Sequence, residues 1–337
     1  MRTYVLSPNC RSIDELKTVE RPDPRPGPNQ VVVRVRATSL NARDQAVAAG
    51  RYVGGALTRE TVPLSDGAGD VIAVGERVTR FKPGDRVAAT FFQTPRDGSP
   101  FAARAALGSP LDGMLAEQVV LYEDGLVAIP PELSFEEAAC LPCAGVTAWH
   151  ALVHAGKPVV AGSTVLVLGT GGVSTFALQF AKAAGAHVIA TSSSDAKLER
   201  AKALGAAAGV NYQQHPDWDR EVLTLTGGRG VDCVVEVGGA ATLNRSMHTL
   251  APGGKIALIG VLTGRTGDVN PYTLMPRGAS LHGIFVGDRD MFEEMIRAIT
   301  VNRIAPVVDR VFPFDEAAAA FRHHASGAFV GKVVIAV

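Results

Sequence analysis

The 337-residue chain is poor in cysteine, with only Cys10, Cys140, Cys143 and Cys233. It is also poor in aromatic residues, at 6%, and has no net charge. Four cysteines in so long a chain do not make a disulfide scaffold, and a chain of this size buries a large core without one. Lys plus Arg and Asp plus Glu each number 33. That balance lacks the broad basic field needed to hold nucleic acid or an anionic membrane, so neither is expected as a partner. There is no internal repeat and no low-complexity tract. The first residues, MRTYVLSPNC, lack a basic stretch followed by an apolar run. No signal peptide is therefore expected, and the expected location is cytoplasmic. Residues 158–181 carry no charge and are long enough to cross a bilayer. Gly162, Gly169, Gly171, Gly172 and several hydroxyls interrupt them, so they read as a strand, a loop and a buried helix.

What is abundant is glycine, 36 residues against roughly 24 at average usage. Apolar residues make up 47% and charged residues 20%, a globular composition. The first third reads as β-rich. Residues 30–37 (QVVVRVRA) alternate and are β-branched, and 69–78 and 85–89 follow as short strands divided by turns. Residues 92–111 read as a long surface excursion. Ser134 with Glu137 has the spacing of a capping box. From there strands and helices alternate: strands at 164–168, 187–191, 231–237, 255–260 and 280–285, and helices after 172, after 195 and over 292–301. Asp195 is expected to cap the second of these helices, with Gly205 closing it. The order predicts an α/β fold, a doubly wound parallel sheet of Rossmann type joined to a β-rich domain. The tail, 331–337 (GKVVIAV), reads as a strand returning to the first domain.

The loop Gly169-Thr170-Gly171-Gly172-Val173-Ser174 lies between a strand and a helix. There, backbone N–H groups and the positive helix end can hold a pyrophosphate. Gly169 permits the turn, Gly171 the close approach, and Ser174 stands where a third glycine is usual. An acid at the end of the next strand would bind the ribose diol of NAD. Here that strand ends Thr191-Ser192-Ser193-Ser194 with Lys197 close behind, which favours the 2′-phosphate of NADP(H). S-adenosylmethionine also binds such loops, but the same missing acid argues against a methyltransferase.

These residues resemble the medium-chain dehydrogenase/reductase superfamily along nearly the whole chain. The motifs are 63–87 (PLSDGAGDVIAVGERVTRFKPGDRV), 141–148 (LPCAGVTA), 169–186 (GTGGVSTFALQFAKAAGA) and the segment Ser39–Asp44. The resemblance implies a GroES-like domain over 1–128, completed by 288–337, and a Rossmann coenzyme domain over 129–287. Where the zinc enzymes of this superfamily place a Cys, this chain has Asn41, and their His-Glu pair appears as Ser65-Asp66. Cys143 is kept. One thiolate and one carboxylate do not make a three-ligand catalytic zinc site. The cysteines of the structural zinc lobe are missing, and Arg43 replaces the proton-relay hydroxyl. The chain is therefore similar to the quinone oxidoreductase branch, and zinc is not expected.

That likeness implies NADPH-dependent hydride transfer to a quinone, an enone or a related carbonyl. Alcohol–aldehyde interconversion and a non-catalytic NADPH-binding protein are the alternatives. It also implies roles for particular residues. Asn41 and Thr147 would border the nicotinamide and its ribose. Gly238, Gly260, Val261, Phe285 and Val286 would contact ribose and carboxamide through their backbone. Tyr212 would lie near the adenosine, and Lys332 would reach the cofactor from the tail. Tyr52 is the candidate proton donor, and Asp66 and Arg43 would pair or orient a small-molecule substrate. Phe91, Phe92, Trp149, Leu262 and Phe285 either line an apolar cleft or pack in the core. The family's edge-to-edge sheet pairing implies a homodimer or homotetramer through the strand at 280–285.

Overall fold

Alternation in the first β-rich stretch builds the centre of a sheet. Val31, Val33 and Val35 are buried while Arg34 and Arg36 face solvent along the strand Gln30–Ser39. The computed structural model describes residues 1–93 and 105–337. It consists of two units, Met1–Cys143 with Asp288–Val337, and Ala144–Gly287.

In the first unit, strands lie in the order Val308–Pro313, Lys332–Ala336, Gln30–Ser39, Asp66–Val74, Arg86–Ala89 and Leu126–Ala128. Gln118–Tyr122 also pairs with Gln30–Ser39. The tail strand runs antiparallel to Gln30–Ser39, with Val334 opposite Ser39. This register sets Lys332 at the level of the loop that leads from Ser39 into the helix Ala42–Ala48. The core gathers Val31, Val33, Val35, Leu64, Leu115, Leu126, Phe321 and Ile335. The strand expected at 69–78 begins earlier and ends at Val74, because Gly75 turns the chain against Gly27 and Pro28. Of the excursion at 92–111, Phe92–Gln93 pairs with Ala105–Ala106, and 94–104 lie outside the described residues.

The second unit has six parallel strands in the order Ala208–Asn211, His187–Ser192, Thr164–Leu168, Val231–Glu236, Leu250–Leu258 and Ser280–Gly283. In chain order this is 3-2-1-4-5-6, the doubly wound arrangement whose ligands bind at the carboxyl ends of the strands. Thr164–Leu168 is buried on both faces, as a continuous apolar strand requires. The strand expected at 255–260 runs instead over Leu250–Leu258. The sixth strand stops at Gly283 rather than Phe285, because Val286 adopts a left-handed φ of 55°. Asp195 is not the cap of its helix. Ser194 holds that position, and the Asp195 carboxylate accepts from Asn211 Nδ2 at 2.7 Å and Gln214 Nε2 at 2.8 Å. Gly205 closes the helix at φ 115°, as expected. Among the described residues, no helix is long and apolar enough to cross a membrane.

Candidate functional site

The glycine loop joins Thr164–Leu168 to the helix Gly172–Ala183. Gly169 needs its glycine for conformation, since its φ is 73°. Gly171 does not. Its φ is −76°, and a Cβ there would meet nothing within 4 Å. Neither backbone nor packing demands glycine at 171, so what the missing side chain preserves is open space over a helix N-terminus. That is where a phosphate would lie. Ser174 is buried, and its hydroxyl donates to Leu168 O at 2.7 Å, which ties the helix to the strand end. Val173 is half-buried beside it.

The next strand end is drawn to this loop. Gly169 N donates to Thr191 Oγ1 at 3.3 Å. Ser192 is buried and Ser193 is exposed. Tyr212 N donates to Ser192 O at 3.0 Å, and the exposed Tyr212 thereby joins the group. Lys197 is half-buried one helical turn on.

The other three strand ends are knitted together. Glu236, fully buried, accepts from Gly238 N, Gly239 N and Thr242 Oγ1 through one oxygen and from Ser246 Oγ through the other. Its backbone oxygen accepts from Gly260 N, and Thr263 N donates to Gly238 O at 2.7 Å. Buried polar oxygens are held in a fold when their lone pairs are filled in this way. Sequence reasoning passed over Glu236, although a lone acid in the apolar run VVEVGG was a visible signal. Val261, Leu262 and Phe285 are exposed beyond these loops, so Leu262 and Phe285 belong to no core. Thr147 is buried on the helix Val146–Trp149. Trp149 packs edge-on against Phe180.

In the first unit the structure brings Asn41, Asp66 and Lys332 together. Lys332 Nζ, almost wholly buried, donates to Leu40 O at 2.6 Å and Asn41 Oδ1 at 2.5 Å, and lies 3.7 Å from Asp66 Oδ2. Asp66 accepts from Ser65 Oγ at 2.7 Å and Cys143 N at 3.1 Å. The lysine can only donate, so Asn41 turns its oxygen towards it and its Nδ2 is left buried without a partner. Asp44 Oδ2 accepts from Asn41 N at 2.7 Å, and burial pushes the Asp44 carboxyl up to about 6.

Arg43 does not pair with Asp66. Its guanidinium lies between the rings of Tyr52 and Phe91, at 4.6 Å and 4.8 Å, and donates to Leu107 O and Ser109 O. Phe91 and Phe92 are buried. Tyr52 is half-exposed, and its ring packs on the Arg43 guanidinium.

The donor set does not suit zinc. Among the described residues no three His, Cys, Asp or Glu side chains gather as a metal site. Burial pushes the Cys143 thiol far up and Cys140 up to about 12, which disfavours the thiolate that redox chemistry needs. The polar cluster is organised around an ammonium instead.

Two family models match the chain: the alcohol dehydrogenase GroES-like domain over residues 27–131 and the zinc-binding dehydrogenase over 172–300. A zinc-type alcohol dehydrogenase-like protein of Schizosaccharomyces pombe is 46% identical over 99% of both chains. A quinone oxidoreductase of Sus scrofa is 29% identical over 93% of this chain and 90% of its own. A solved NAD-dependent alcohol dehydrogenase is 38% identical over the whole of both chains, with a TM-score of 0.91. A crotonyl-CoA carboxylase/reductase solved with NADP is 25% identical over all of this chain and 95% of its own, with a TM-score of 0.90. The chain is an oxidoreductase of the medium-chain dehydrogenase/reductase superfamily, a GroES-like domain joined to a Rossmann-type domain.

Proposed function

We propose that the protein is an NADPH-dependent, metal-independent reductase acting on a quinone, an enone or a related carbonyl. The observation that carries this reading is Gly171, a glycine required only for the space it leaves at a helix N-terminus. Residues 169–173 would hold the pyrophosphate. Ser193, with Lys197 and Tyr212 alongside, would take the 2′-phosphate, since the second strand ends without an acid and the Asp195 carboxylate is engaged by Asn211 and Gln214. The coenzyme, when bound, supplies the hydride.

The chain's own residues supply orientation and hydrogen bonds. Asn41 Nδ2, fixed as a donor by Lys332, would donate to the substrate oxygen as negative charge develops on it. The Tyr52 hydroxyl would deliver the proton, with Arg43 holding its ring. A pre-set donor of this kind is worth about 10²–10³ in turnover. Asn41→Ala should therefore lower turnover about 10²-fold and leave NADPH affinity within a few fold. Tyr52→Phe should lower enone turnover by about 10²-fold.

A coupled absorbance assay on chelator-treated protein tests the whole reading. NADPH oxidation with a quinone or enone, faster than with NADH and unchanged by chelation, is the expected result. Silence with these acceptors, together with alcohol oxidation restored by zinc, would overturn it. NADPH binding without turnover over a broad acceptor panel would point to a non-catalytic binding protein. We also propose self-association through the edge strand Ser280–Gly283, where Leu281 is exposed. A monomeric mass by light scattering would exclude it.

A further inference from the structure

Four non-glycine residues among those described have positive φ: Asn9, Leu64, Val286 and Arg303. Val286 alone is β-branched, the class for which a left-handed backbone is most strained. Such a conformation persists only where its surroundings impose it, and it clusters at ligand clamps. Two contacts impose it here. The Val286 side chain is 5% exposed, whereas Phe285 beside it is 54% exposed. The Val286 carbonyl accepts from His150 Nδ1 at 2.7 Å. A carbonyl can only accept, so Nδ1 carries the hydrogen.

His150 begins the π-helical turn His150–His154, which follows directly on the helix Val146–Trp149. Single π-turns of this kind mark functional sites more often than ordinary helix does. His150 lies three residues after Thr147 and so shares its face. The strained segment leaves the carboxyl end of the sixth strand, after Ile284 N donates to Leu258 O.

We propose that His150 is a positioning residue for coenzyme binding. It pins the Val286 carbonyl and thereby holds the backbone of 285–287 in the turned-out form that receives the nicotinamide end of NADPH. This rests on the coenzyme reading above. Without the imidazole, Val286 relaxes towards the extended region, and the peptide groups on either side of it rotate away. The adenosine end, held by the glycine loop and the second strand, is untouched. His150 itself need not contact the coenzyme.

The test compares dissociation constants of intact NADPH and of 2′,5′-ADP, which carries the adenosine half alone. His150→Ala should weaken NADPH by about tenfold, the scale of one lost hydrogen bond, and leave 2′,5′-ADP within about twofold. His150→Asn keeps a donor near the position of Nδ1 and should stay within about threefold for both. Val286→Gly adopts positive φ without strain. The double variant His150→Ala/Val286→Gly should therefore recover most of the loss, a rescue that a merely structural histidine would not allow. Equal weakening of both ligands in His150→Ala, no weakening at all, or a double variant no better than His150→Ala would each overturn the proposal. If the wild-type protein binds neither ligand, the coenzyme reading itself fails. If it binds both and His150→Ala matches it, only the role of His150 fails.

Discussion

The two units hold their polar groups in opposite ways. In the first, a buried ammonium, two buried carboxylates and an amide are packed against one another, and their residues come from places in the chain nearly 300 positions apart. In the second, the strand ends present backbone and small residues around open space, and the buried carboxyl among them, that of Glu236, is filled by neighbours within ten positions. One arrangement fixes charge and the other leaves room. Only a long-range fold can assemble the first, whereas a local sequence motif is enough to lay down the second.

Breaking the charge cluster should have the largest effect. Lys332→Met removes the cation beside Asp66 and leaves a buried carboxylate without it, a loss of about 3–5 kcal/mol of stability. Lys255 in the second unit is nearly as buried, but it donates only to Leu152 O and Ala155 O, at the end of a helical segment. Burial lowers its proton affinity, and no carboxylate depends on it. Lys255→Met should cost about 1–3 kcal/mol, the scale of hydrogen bonds made by a charged group. Denaturant melts of the two variants check the contrast, and equal losses would abolish it.

Next comes a variant that spares the fold and fills the open space. Gly171→Val places a side chain where nothing lies within 4 Å, at a φ that valine adopts freely. The melting temperature should stay within about 2 °C of wild type, while NADPH affinity falls by about 100-fold or more. Loss of stability in this variant would mean that the glycine serves packing after all.

The same contrast explains what could be read from the sequence. The glycine loop and the serine-ended strand are contiguous, each stating its physics in ten residues or fewer, and the strand–helix alternation is a sum of such local patterns. The ends of the fifth and sixth strands were placed too late, because Gly260 and Val286 leave the sheet through tertiary bonds that no local pattern carries. Asp195 was given to capping because spacing alone cannot tell a cap from a residue at the first helical position that reaches across to Asn211. Asn41, Asp66 and Lys332 were each named from the family resemblance, but their junction was not. Lys332 reaches Asn41 only because the tail strand pairs antiparallel with Gln30–Ser39 in this register. His150 gave no signal at all, since its partner lies 136 residues away.

The smallest effect sharpens the view of the first unit as a charge-fixing centre. His324 packs its ring on Phe329 at 4.8 Å and meets Gln45 Nε2 at 3.5 Å. Burial, with the nearby charge of Lys332 and then of His323, pulls it from 6.5 down to about 4. Its neutral form is therefore the native one. The stability it contributes is complete above pH 6.5 and is lost as pH falls towards 4, because the unfolded chain takes up the proton first. Asp44 runs the other way. Its folded value of about 6 lies above the ordinary 3.8, so the native state keeps a proton that the unfolded chain has released, and stability is lost as pH rises from 4 to 6. The two slopes oppose each other over the same interval, each worth at most about 3 kcal/mol. His324→Phe keeps the ring stack and removes one slope, so its stability relative to wild type should rise as pH falls from 6.5 to 4. Asp44→Asn keeps an acceptor for Asn41 N–H and removes the other, so its stability relative to wild type should fall over the same range. Melting curves at pH 4, 5 and 6.5 distinguish the two. Parallel profiles in both variants would mean that neither group titrates within the fold over this interval.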